Sequence, residues 1–81
     1  YIAMQTFCRV VQTGSFAGAA KALDVSNSVV TKHVQLLEEW TGCRLLARTT
    51  RSMKLTAAGQ IFYEYCQRIL VETDSVLADL Q

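Results

Sequence analysis

Proline is absent from the 81 residues, and only four glycines punctuate them. Little can therefore break or kink a helix except those glycines and polar caps, which favours a helical domain. Charged residues are scarce, at 19%, while 51% of the chain is apolar, which excludes a disordered polar segment. No apolar run approaches the ~20 residues needed to span a bilayer, and no secretory leader is visible, so a membrane is not expected as a partner. The three cysteines, Cys8, Cys43 and Cys66, are odd in number, widely spaced and without a C-x-x-C pair. That speaks against zinc or a disulfide framework. They read as small buried apolar side chains in a protein of the reducing cytoplasm. A single histidine, His33, has no carboxylate array beside it in the sequence. No Ser/His/Asp set and no glycine-rich phosphate loop occur, so neither an enzyme nor a chain with its own metal or cofactor is expected.

The net charge is only +1, and its distribution says more than its size. Lys32, Arg44, Arg48, Arg51 and Lys54 stand against Glu38 and Glu39 in the middle of the chain. Toward the end, Glu64, Glu72, Asp74 and Asp79 stand against Arg68. Such asymmetry suits a basic face for a polyanion and another face for protein.

Four helical patterns are legible. In the first, from Ile2 to Gln12, Met4, Phe7, Cys8 and Val11 recur on one face, and Gly14 is a natural stop. The second opens at the N-cap residue Ser15, with Phe16, Ala19, Ala20 and Leu23 as a narrow stripe whose small side chains admit a close neighbour. A short turn, Asp24-Val25-Ser26, leads to a third helix from Asn27 to Thr41, with Val30, Val34 and Leu37 inward and Gly42 closing it. Arg44-Leu45-Leu46 and Met53-Lys54-Leu55 then read as two short strands around the polar loop Thr49-Thr50-Arg51-Ser52, a basic hairpin or wing. Thr56 caps a fourth helix, about 36 Å long at 1.5 Å per residue. Phe62, Tyr65, Cys66, Ile69, Val76 and Leu80 line one side of it, and the stretch from Ile69 to Leu80 is too far from a small globule to be buried on it. The pattern is still helical at Gln81, as in part of a longer protein.

The order helix, helix, tight turn, helix, hairpin, long helix is mainly α with a small β wing: a winged helix-turn-helix over residues 1–56 and a linker helix over 57–81. In a helix-turn-helix the second helix of the pair enters the major groove N-terminal end first. Here that end carries Ser26, Asn27, Ser28, Thr31, Lys32 and Gln35, short or flexible side chains rich in donors and acceptors.

An ordered set of short pieces carries a family resemblance over nearly the whole chain. They are Gly14-Ser15-Phe16, Ala19-Ala20, Leu23, Val25-Ser26, Leu37-Glu38-Glu39, Gly42, Arg44-Leu45-Leu46, Arg48-Thr49-Thr50-Arg51, Leu55-Thr56 and Gly59. With these pieces at these intervals the chain resembles the DNA-binding domain of LysR-type bacterial transcriptional regulators. The resemblance implies Asn27, Ser28, Thr31 and Lys32 in a major groove of double-stranded DNA, Arg51 in the minor groove, and Arg48, Thr49 and Thr50 on phosphates. It implies homodimers through the fourth helix, where Phe62, Tyr65, Ile69, Val76 and Leu80 lie, tetramers of the full-length protein, and an operator that is an interrupted inverted repeat. A small-molecule inducer would bind a C-terminal domain absent from this chain, and RNA polymerase would be a further partner.

Three places depart from the family pattern. Thr31-Lys32 stands where Ser-Arg is common, Ser28 where proline is common, and Trp40-Thr41 where a polar-Leu pair is usual. Trp40 is expected to cover the core site that Thr41 cannot fill. The rival reading is a winged module for protein interaction without DNA, prompted by the low net charge and the long apolar helix.

Overall fold

The computed structural model describes residues 1–48 and 53–81. The chain runs α1 (Ile2–Thr13), α2 (Phe16–Leu23), α3 (Asn27–Thr41), β1 (Leu46–Arg48), β2 (Met53–Leu55) and α4 (Ala57–Leu80). Each boundary has a chemical cause. Gly14 and Gly42 adopt positive φ (79° and 69°) and donate their N–H groups back to Val10 O and Glu38 O, closing α1 and α3. Neither needs a side chain, and glycine carries no Cβ penalty in that conformation. Ser15, Ser26 and Thr56 cap α2, α3 and α4 by accepting from the backbone N–H groups of Gly18, Val29 and Gly59. Asp24 closes α2 at φ 57°, a left-handed conformation that aspartate tolerates better than most residues.

Helices α1, α2 and α3 pack on one another around Phe7, Val10, Ala19, Ala20, Val30, Val34 and Leu37, with Leu45, Leu46, Cys8 and Cys66 completing one core. The expected inward residues of α3 are all buried. On α1 the face is rotated: Val10 and Thr6 are buried, while Met4 and Val11 are only partly covered. Thr6 tolerates burial because its hydroxyl donates to Ile2 O at 3.1 Å and pairs with His33 Nδ1 at 2.7 Å. That contact ties α1 to α3.

The hairpin is antiparallel, with Leu46 opposite Leu55, Ala47 opposite Lys54 and Arg48 opposite Met53. The first strand begins at Leu46, not at Arg44 as expected. The approach to the strand is held by α3, where Glu38 Oε2 accepts from the backbone N–H of Leu45 at 2.8 Å and of Leu46 at 3.4 Å. The other side of the junction is closed by Thr56, whose N–H donates to Leu45 O at 3.1 Å and whose hydroxyl donates to Arg44 O.

Three further expectations need correction. Cys43 is exposed, whereas Cys8 and Cys66 are buried as expected. Trp40 does not enter the core: it remains 70% exposed, its ring meeting Phe62 edge-on at 6.4 Å. An open apolar notch bordered by Thr41, Leu45, Ala58, Phe62 and Tyr65 lies at the end of α3, where a residue longer than threonine at position 41 would reach. Finally, the apolar residues of α4 do not share one side. Cys66 is fully buried in the core, and Phe62 packs on Phe7 with ring centroids 5.4 Å apart.

Candidate nucleic-acid interface

Helix α3 is two-faced for a plain reason. Val30, Val34 and Leu37 occupy positions that helical spacing brings together, and their burial turns the opposite stripe outward. On that stripe Ser28, Lys32 and Gln35 are exposed, and Ser26 and Asn27 stand exposed at its N-terminal tip. Thr31 sits half-buried on the flank, its hydroxyl donating to Asn27 O at 2.9 Å. With its proton so committed, Thr31 presents acceptor lone pairs and a methyl group, not a donor. Ser26 accepts from Val29 N–H at 3.3 Å, so its own O–H can still donate outward. The first turn of α3 contains no acidic residue, which leaves the positive end of the helix dipole uncompensated by side chains.

Alternation along the hairpin decides where the basic side chains of the wing go. Leu46 and Leu55 pair on the inner side, Ala47 and Lys54 on the outer, and Arg48 and Met53 on the inner again. Lys54 is accordingly exposed to solvent. Arg48 is itself exposed and folds over α2: its Cζ lies 4.6 Å from the centroid of the Phe16 ring. Arg48 also borders an open surface recess shared with Gln35, Glu38, Glu39 and Arg44. Arg48 of the wing and Gln35 of α3 thus face the same part of the surface. Arg44 is turned into its own backbone, its Nε donating to Leu46 O at 3.2 Å. Thr49, Thr50 and Arg51, expected at the wing tip, lie outside the described residues.

The residues expected to join two copies divide into two groups. Tyr65, Ile69, Val76 and Leu80 are exposed, and Ile61 extends their stripe at spacings of four, four, seven and four residues. Phe62 is half-buried against its own domain. Ile61 is the member that sequence reading missed; helical spacing back from Tyr65 pointed to it. Arg68 lies over Tyr65 at 4.6 Å from the ring centroid, covering one face of that ring. Among the described residues no group of His, Cys, Asp or Glu could hold a metal ion, and no helix is long and apolar enough to cross a membrane.

The comparisons with known proteins agree with this geometry. Residues 2–60 match the family described as bacterial regulatory helix-turn-helix protein, lysR family. An HTH-type transcriptional regulator of Xanthomonas campestris pv. campestris (strain 8004) is 46% identical over 78 residues, 93% of this chain and 23% of that protein. BenM_DBD, solved in complex with catB site 1 DNA, superposes with a TM-score of 0.93 at 32% identity, covering 98% of this chain and 89% of that one. CbnR, a LysR family transcriptional regulator, gives a TM-score of 0.85 at 40% identity over 96% of this chain and 27% of its own. The chain therefore spans about a quarter of the length of the full regulators it matches. With its two-faced third helix, its hairpin wing and its long fourth helix, the chain belongs to the lysR family of bacterial regulatory helix-turn-helix proteins.

Proposed function

We propose that this chain binds double-stranded DNA sequence-specifically as the reading head of a homodimeric regulator of transcription initiation. The observation that carries this is the outer face of α3. Ser26, Asn27, Ser28, Lys32 and Gln35 are exposed together at its N-terminal end, with nothing acidic in the first turn. The similarity to BenM_DBD, a domain solved on DNA, favours this reading over a wing used only for protein contacts. Lys32 supplies a point charge, and Asn27 and Gln35 supply the paired donor and acceptor that adenine edges require. Arg48, with Thr49, Thr50 and Arg51 of the wing, takes phosphates and the minor groove. The exposed stripe from Ile61 to Leu80 joins two copies, so the operator is an interrupted inverted repeat. A small-molecule inducer acting through a further domain, tetramer assembly, contact with RNA polymerase and a cytoplasmic setting all belong to the same reading, which involves no catalysis.

Selection of bound duplexes from a random pool tests it directly, and a dyad-symmetric consensus is the expected product. Lys32→Ala should then cost about 1–3 kcal/mol of binding. The affinity should fall with salt at a log–log slope of roughly −0.9 per phosphate neutralised. A pool that yields no consensus, or a complex indifferent to both salt and Lys32→Ala, overturns the assignment.

A further inference from the structure

We propose that Phe16 is a positioning residue for DNA binding, its ring holding the Arg48 guanidinium in place at the base of the wing. The proposal rests on the reading that Arg48 meets the DNA backbone. The surroundings make this a built platform and not a chance contact. Register places Arg48 on the inner side of the hairpin, and its Cζ stands 4.6 Å over the Phe16 ring. Phe16 is itself held: it is the first residue of α2 and packs against the core. Ser15 just before it is fixed on both sides, its Oγ accepting from Gly18 N–H at 2.8 Å and its carbonyl from the Thr13 hydroxyl at 3.1 Å.

The chemistry of the guanidinium lets both contacts coexist. It is planar, stacks through its face, and carries its five N–H donors around the rim. A ring beneath the face leaves that rim available to phosphate oxygens. An arginine already ordered in this way loses less side-chain freedom when DNA arrives, and immobilising a flexible side chain is otherwise worth about two- to tenfold in affinity. Aspartate or glutamate in this position would neutralise the group, whereas an aromatic ring orients it and keeps its charge.

The test uses the whole chain and a mixed-sequence DNA duplex at low salt, because phosphate contacts are independent of sequence. Arg48→Ala should weaken binding and reduce the log–log salt slope by about one. Phe16→Leu should weaken binding about two- to tenfold. Phe16→Tyr, which keeps the ring, should retain the affinity, and Phe16→Leu should add nothing once Arg48 is alanine. Phe16→Met, similar in volume but without a π face, gives the same loss and serves should the leucine variant fail to fold. The proposal is overturned if the leucine and methionine variants bind normally, if their loss persists in the Arg48→Ala background, or if tyrosine fails to rescue. If Arg48→Ala itself leaves affinity and slope unchanged, the phosphate reading of Arg48 fails first and takes the positioning role with it.

Discussion

The two halves of α4 contain similar apolar residues and meet opposite fates. In the first half Gly59 and Cys66 are buried, and Phe62 and Tyr63 pack on Phe7. In the second, Val71, Val76 and Leu77 are exposed and Leu80 is 78% exposed. Large apolar side chains occur in both, mostly aromatic in the first (Phe62, Tyr63, Tyr65) and aliphatic in the second. What decides their fates is whether α1, α3 and the hairpin lie alongside. The first half is thus a piece of the domain's core, and the second is an apolar helix that the described part of the chain leaves uncovered. The molecule measures 45 Å along its longest axis against 19 Å on its shortest, in keeping with a helix that outruns its globule. An apolar face of this kind in water seeks another surface. Stability of the head and association of the heads should therefore be separable properties of one helix.

The largest effect should come from the first half. A Cβ built on Gly59 would lie 2.0 Å from Leu45 O, a backbone atom held by Thr56 N–H. Gly59→Ala must push α4 off the start of β1, and overpacking of that kind costs about 1–3 kcal/mol. The melting temperature should drop by about 4–8 °C per kcal/mol for a domain of this size. A variant that melts like the parent would show that α4 is not seated on the hairpin as described.

The second half should respond in the other way. Ile69→Lys places a charge in the exposed stripe, where the proposed dimer buries isoleucine against a second copy. Each buried isoleucine is worth about 1.5–3 kcal/mol. Sedimentation equilibrium should show association weakened by at least an order of magnitude, while melting of the dilute monomer stays put. Early melting of the monomer with unchanged association would reverse the assignment of the two halves.

Legibility from sequence follows the same division. Local signals placed the caps at Ser15, Ser26 and Thr56, the glycine stops, and the buried stripe of α3, because these features depend on residues within one or two turns. The polar tip of α3 was legible for the same reason: the inward positions fix the outward ones. Distant partners set what was not legible. The approach to β1 is held by Glu38, whose carboxylate reaches the Leu45 N–H seven residues on. Thr6 reads as a polar residue on an apolar helix until His33, 27 residues away, is seen to complete its hydrogen bonds. Arg48 over Phe16 required both the hairpin register and the packing of α2. Periodicity alone merged Cys66 and Phe62 with Tyr65 and Ile69, since it reports an apolar helix without saying which neighbour covers each position.

The cysteines offer the smallest effect and the cleanest reporter of the buried half. Burial pushes the Cys66 thiol up to about 12, with the nearby Cys8 adding to the shift, and burial likewise raises Cys8. A thiol is neutral when protonated, so a raised value in the folded state stabilises nothing below the ordinary thiol pKa of about 8.5. Above it, the unfolded chain ionises and the folded one does not, so stability is lost as pH rises from about 8.5 toward 12. Lysine and tyrosine titrate in the same range, so the comparison is between the parent and Cys66→Ala. The parent should lose more stability between pH 8 and 10, by about a few degrees of melting temperature. Thiol labelling gives the kinetic counterpart. Cys43, exposed beyond the end of α3, should react at once, whereas Cys8 and Cys66 should wait for unfolding. Rapid labelling of Cys66 in the native protein would mean that the inner half of α4 opens readily, and the contrast between a seated half and an uncovered half would lose its basis.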